Sequence, residues 1–297
     1  MTKKTQYTYL ISVFILFALF ASIFTLQKAT LLYSEKFFLV GSRMFIAGII
    51  LLFYTTIKYK NLHIKKEHIT LLICLTIYNI YLTNILEIWG LSQIQSTKTC
   101  MIYSLSPFVS AVFGFYTLKE TLNRNKIIGL SIGLIAILLN TEEIHTISKL
   151  HLNYAELAVL IAVLTSVYGW CLLKKLLEYG YSPLLLNGIS MLIGGILILI
   201  HSYIVGEKWE PIPVNNIILF TKITCVTCLI SNIICYNLFG FLLKKFSITF
   251  MNFAGLSTPL FASIFGYVYL HEVITIWYYM SLLLLSIGLI IFYKEEK

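Results

Sequence analysis

The sequence predicts an all-α polytopic membrane protein, with ten transmembrane helices arranged as two inverted five-helix repeats. Three observations carry that expectation: scarce charge, ten apolar runs of roughly spanning length, and blocks of sequence that recur in the second half. Of the 297 residues, 59% are hydrophobic and only 12% are charged, against about 25% charged in an ordinary soluble domain. All thirteen acidic residues are Glu and Asp is absent, which removes many metal sites and acid–base dyads at once. The net charge of +9 does not point to nucleic acid. The basic residues lie between apolar runs, as they do in the loops of membrane proteins, and no nucleic-acid-binding module is visible.

A spanning helix needs ~20 predominantly apolar residues. That ruler gives ten runs, at 8–26, 37–57, 69–91, 95–117, 126–140, 154–173, 183–205, 215–240, 249–270 and 274–293. The first follows Lys3 and Lys4 but lacks a small-residue cleavage site and precedes nine others, so it reads as a retained helix and not as a signal peptide. With the N-terminus in the cytoplasm, fifteen Lys and Arg fall inside and five outside: Lys28, Lys36, Lys98, Lys149 and Lys208. This positive-inside bias predicts an even helix number and two cytoplasmic termini in a bacterial inner membrane.

The internal repeat is carried by three blocks in the same order. Pro107–Glu120 (PFVSAVFGFYTLKE) and Pro259–Glu272 (PLFASIFGYVYLHE) share five of fourteen positions, among them both prolines, Gly114/Gly266 and Glu120/Glu272. LSIGLI occurs at Leu130–Ile135 and again at Leu285–Ile290. Gly41–Leu52 matches Gly188–Leu199 at six of twelve positions. The repeats are assigned to 1–145 and 150–297. Five helices per repeat is an odd number, so the second copy must be inverted, an arrangement common among transporters.

These paired blocks, and the SRMFIAGIILL pattern around Arg43, resemble the EamA-type carriers of the drug/metabolite transporter superfamily over nearly the whole chain. The resemblance implies a secondary transporter that works by alternating access. Ser190 stands where the repeat would place a second arginine, opposite Arg43.

Ionisable residues inside a membrane suggest function. Glu87, Arg43 and Lys222 are read as charge-coupling groups, with a structural ion pair or snorkelling as the competing reading. Polar residues at helical spacing form stripes: Thr76, Asn79, Thr83 and Glu87; Thr99, Tyr103, Ser106 and Ser110; Lys222, Cys225, Asn232 and Tyr236. Such stripes fit a wet cavity or interhelical hydrogen bonds. Asn79, Thr83, Glu87, Tyr103, Ser106, Tyr168 and Asn232 are taken as candidate substrate-binding residues, and Pro107 and Pro259 as hinges or static kinks.

No catalytic residue, cofactor or metal site is expected. Gly129-Leu-Ser131-Ile-Gly133 has the form of a nucleophile elbow but lies in an apolar helix without an Asp. Cys225 and Cys228 lack a redox context, and all six cysteines fall in apolar stretches.

The expected partners are a small polar metabolite and the bilayer, for a monomer or homodimer. Family members are similar in fold but move amino acids, nucleotide-linked metabolites, S-adenosylmethionine and other solutes. The Ile/Lys/Asn/Tyr-rich usage suits an AT-rich genome, as in host-dependent bacteria that import finished metabolites. With an intramembrane carboxylate and many aromatics, this makes uptake or exchange of S-adenosylmethionine the specific expectation. Export of amino acids or drugs is the alternative within the class, and a membrane-embedded enzyme or scaffold the alternative outside it.

Overall fold

The computed structural model describes residues 3–58, 64–94, 96–139, 153–261, 264 and 276–294. Its helices are α1 (Lys3–Thr30), α2 (Lys36–Lys58), α3 (Lys66–Gln93), α4 in two pieces (Ser96–Tyr103 and Ser106–Leu118), α5 (Arg124–Leu139), α6 (Tyr154–Glu178), α7 (Pro183–Ile204), α8 (Ile217–Leu243), α9 (Ile248–Ala254) and α10 (Ile276–Lys294). Each apolar run of the sequence carries one of them. Seven helices are long and apolar enough to cross a membrane among the described residues; α5, α9 and α10 fall short of that measure there. The same residues hold no strand, only an isolated bridge between Ser34 and Val214. The chain is an all-α multi-pass membrane protein. Lys149 and the second repeat block from Phe265 to Glu272 lie outside the described residues.

Local chemistry sets several helix ends. Asn216 accepts a hydrogen bond from the Leu219 amide at 3.1 Å, and Ser247 one from Phe250 at 3.0 Å, filling donors that a helix start leaves open. Asn153 and Glu156 form a reciprocal capping box. Lys119 adopts a left-handed conformation at φ 56° and closes α4, so that Glu120 N returns to Gly114 O at 3.1 Å.

Helices α2 and α7 form the tightest antiparallel pair, and glycines allow it. A Cβ on Gly41 would lie 3.0 Å from Leu199, and one on Gly188 3.1 Å from Leu52. Gly48 abuts the Leu192 backbone, and Gly195 abuts that of Phe45. Each contact becomes its counterpart when the two residues exchange places across a shift of 147 positions, the reciprocity of a two-fold axis. Helices α5 and α10 cross similarly, with a Cβ on Gly129 or Gly288 2.9 Å from the other's carbonyl oxygen. Alanine at Gly48 would bring its Cβ within 2.6 Å of Leu192 Cα. Gly48→Ala and Gly195→Ala are each expected to cost ~1–3 kcal/mol by overpacking, measured as thermal unfolding in detergent; unchanged stability would contradict the close approach.

Three helices depart from regular α geometry. In α3, Thr76–Leu82 is π-helical, and in α8, Cys228–Cys235 is too. A π-turn displaces carbonyls from their usual partners, and an asparagine collects them in both helices. Asn84 Nδ2 donates to Asn79 O at 3.3 Å and Ile80 O at 2.8 Å; Asn237 Nδ2 donates to Asn232 O at 3.3 Å and Ile233 O at 2.8 Å. Helix α4, expected to be continuous, breaks at Ser104–Leu105. Pro107 sits in the first turn of its second piece, where a missing N–H costs nothing. Pro259 follows a 3₁₀ turn at Gly255–Ser257 that extends α9. Pro107 therefore follows a break in α4, whereas Pro259 follows a change to 3₁₀ geometry within a stretch that stays helical.

Candidate functional site

A cleft opens between α1, α2, α3, α4, α6, α8 and the end of α9. Apolar side chains from two clusters surround it. One cluster packs α2 against α3 and α7 through Met44, Ile80 and Met191. The other packs α6, α8 and α9 through Leu173, Phe239 and Phe253.

One group of lining residues is charged and polar. Glu87 lies on α3 one turn beyond the π-helical stretch. Tyr103 Oη donates to its Oε2 at 2.5 Å, and Gln27 Nε2 donates to its Oε1 at 3.4 Å. Arg43 projects from α2 into the same cleft. It is 2% exposed, and its Nε and Nη1 have no hydrogen-bond partner. No ion pair joins Arg43 to Glu87 among the described residues. The two residues line the same cleft without a direct contact between them.

The rest of the cleft is aromatic, with polar groups from α9. Trp170 stands with its ring centroid 4.3 Å from that of Phe239 and 5.1 Å from that of Tyr236. Phe17, Phe20 and Phe24 face it from α1, and Asn252, Thr258 and Pro259 complete the lining. The Phe24 ring lies 5.5 Å from Tyr103, so the aromatic surface runs up to the acid.

Of the sequence-predicted residues, Thr83, Glu87, Tyr103, Ser106, Arg43 and Pro259 line the cleft. Thr83 also holds α3 to α6 through Thr165, 2.9 Å between hydroxyls. Five others stand apart. Asn79 is buried against α6, donating to Ser166 O at 3.3 Å. Asn232 is fully buried between two methionines, 2.9 Å from Met44 Sδ. Tyr168 packs edge-on against Tyr78 and Phe113. Lys222 is exposed on α8. Asn79 and Asn232 both lie within the π-helical stretches, where a regular 3.6-residue period does not hold. On α3 the cleft is lined by Thr83, Asn84 and Glu87, and on α8 by Ser231 and Tyr236. Pro107 is buried and is not part of the lining. Cys225 is exposed and Cys228 buried, both as free thiols.

Sequence reasoning misses Gln27 and Asn84. A signal for Asn84 is present, since Asn-Ile-x-x-x-Asn occurs at 79–84 and again at 232–237. Nothing in the first helix distinguishes Gln27 beyond its being an amide among apolar residues.

Two ion pairs tie α4 to α6 beyond the cleft. Lys98 meets Glu156 at 2.5 Å, and Lys174 meets Glu120 at 3.0 Å. Glu120 also accepts from Ile248 N at 2.8 Å and from Thr249 Oγ1 at 2.8 Å, so it caps α9 as well.

Comparisons with known proteins agree with this architecture. Residues 8–141 and 153–294 each match the EamA-like transporter family. The chain is 36% identical over 285 residues to the S-adenosylmethionine/S-adenosylhomocysteine transporter of Chlamydia muridarum (strain MoPn / Nigg), covering 94% of this chain and 89% of that one. Identity to a protein of the same description from Chlamydia trachomatis serovar L2 is also 36%, over 94% of this chain and 86% of that one. The uncharacterized transporter YoaV of Bacillus subtilis is 26% identical over 84% of both chains. A solved crystal structure only 11% identical superposes with a TM-score of 0.74 over 96% of this chain and 98% of that one, a likeness of fold alone. These relatives are transporters and not enzymes. With the family matched over nearly its whole length, the chain belongs to the EamA-like transporter family.

Proposed function

We propose that this transporter exchanges S-adenosylmethionine for S-adenosylhomocysteine across a bacterial inner membrane, using the cleft as one alternately exposed site. The observation that carries the reading is a half-buried carboxylate, Glu87, at the edge of an aromatic-walled cleft. S-adenosylmethionine offers a sulfonium and an ammonium for such an acid and an adenine for such a wall. The Chlamydia relatives, named for this pair of ligands, support the same choice.

In this reading Glu87 faces the cationic part of the substrate and Tyr103 holds the carboxylate in place. Thr83 and Ser106 supply hydroxyls, while Trp170 and Phe239 flank the base. Asn79, Asn232 and Tyr168 hold helices around the site. Two inverted five-helix repeats, divided near residues 145–150, provide the two states. The reciprocal glycine contacts of α2 and α7, the paired Asn-Ile-x-x-x-Asn turns and the two family matches support that division. Both termini are assigned to the cytoplasm from the lysine distribution.

Purified protein tests the ligand choice. S-adenosylmethionine and S-adenosylhomocysteine are expected to compete for one site per chain and to raise the unfolding temperature. A ligand at 100 times its Kd stabilises by about 2.7 kcal/mol. Stabilisation by neither ligand, or equal stabilisation by methionine alone, would contradict the reading.

A further inference from the structure

We propose that Arg43 is the subsite for the substrate's carboxylate, so that the transporter selects an intact amino-acid end and not merely a nucleoside cation. The inference deepens the function proposed above and rests on it. Its basis is the unfinished chemistry of one side chain. Arg43 is 2% exposed, lines the cleft, and has Nε and Nη1 without a partner. A buried guanidinium without an acceptor is costly, and buried polar groups are normally hydrogen-bonded.

The acceptors nearby do not complete it. Both Glu87 oxygens are engaged by uncharged donors, Tyr103 and Gln27. The Cys228 thiol approaches the Arg43 carbonyl at 3.8 Å, not its guanidinium. What the guanidinium lacks is an acceptor. A carboxylate supplies one, in a charge-assisted hydrogen bond.

The cleft therefore presents one acid and one base that do not pair with each other. A zwitterionic amino-acid end satisfies both, its carboxylate on Arg43 and its ammonium towards Glu87. S-adenosylmethionine and S-adenosylhomocysteine share that end and differ at sulfur, so one anchor serves both.

The test uses the decarboxylated analogue of S-adenosylmethionine, which keeps the adenosine, sulfonium and ammonium. Binding to full-length purified protein is measured for both compounds. Wild type is expected to prefer S-adenosylmethionine by about 10- to 100-fold, the range for charge-assisted hydrogen bonds. In Arg43→Gln the ratio is expected to fall to about one through loss of S-adenosylmethionine affinity alone. Should Arg43→Gln not fold, Arg43→Lys keeps the charge without the planar fork and is expected to shrink the ratio about threefold or more. A wild-type ratio near one, an equal loss for both compounds in Arg43→Gln, or an unchanged ratio in Arg43→Lys overturns the carboxylate subsite while leaving the S-adenosyl reading intact. Failure of wild type to bind either compound overturns that reading and this inference with it.

Discussion

Glu87→Gln is expected to lower transport of S-adenosylmethionine at least ~100-fold while the protein inserts and folds. The substitution keeps the size of the side chain, turns one of its two acceptor oxygens into a donor, and removes the charge that faces the cation in the proposed reading. Breaking one side of a buried charged contact costs about 2–5 kcal/mol. Its effect on stability is expected to be small, within ~1 kcal/mol, because Glu87 has no ion-pair partner in the described structure and a neutral amide is easier to bury. Tyr103→Phe, which deletes only the 2.5 Å donor, should cost less, about 1–3 kcal/mol in binding. A purely structural role predicts the reverse: poor folding of Glu87→Gln, rescued by adding Arg43→Gln. Uptake, yield and thermal unfolding of the single and double variants separate the two.

The largest stability effect is expected at Glu120. Its carboxylate holds Lys174 at 3.0 Å and the start of α9 through Ile248 N and Thr249. Glu120→Ala strands the half-buried ammonium of Lys174, leaving it the Phe246 carbonyl at 3.1 Å, and removes the acceptor of the Ile248 and Thr249 amides at the start of α9, where Ser247 still caps Phe250. A broken buried pair costs ~3–5 kcal/mol and the lost amide acceptor about 1 kcal/mol. Adding Lys174→Met should restore part of the loss, since the remaining partner is then apolar. A Glu120→Ala protein with wild-type unfolding in detergent would show that these contacts do not hold α4, α6 and α9 together.

The fold is legible in the sequence because lipid leaves few options: apolar runs of spanning length become helices that satisfy their own backbone. Most helix ends therefore differ from the apolar runs by only a few residues, and Glu87, Tyr103, Thr83, Ser106 and Arg43 fall on one cleft. The stripes on α3 and α8 are less accurate, because a 3.6-residue period does not hold through Thr76–Leu82 and Cys228–Cys235, where the helix widens to π geometry. That period wrongly assigns Asn79 and Asn232 to the cavity, when their successors Asn84 and Asn237 mark where the widening ends. The break in α4 is written in Pro107, which sits in the first turn of the helix that follows it. Lys222 has an intramembrane depth along the chain, but periodicity without tertiary contacts does not fix which side of α8 it occupies.

Counterflow in proteoliposomes tests the central claim most directly. Vesicles holding purified protein and loaded with S-adenosylhomocysteine are given labelled S-adenosylmethionine outside. The account predicts uptake many times faster than into empty vesicles. Because a cation exchanges for a neutral zwitterion, it also predicts that an inside-negative potential accelerates uptake. Entry at the same rate into loaded and empty vesicles, or no entry into either, would contradict exchange of these two ligands through a single site.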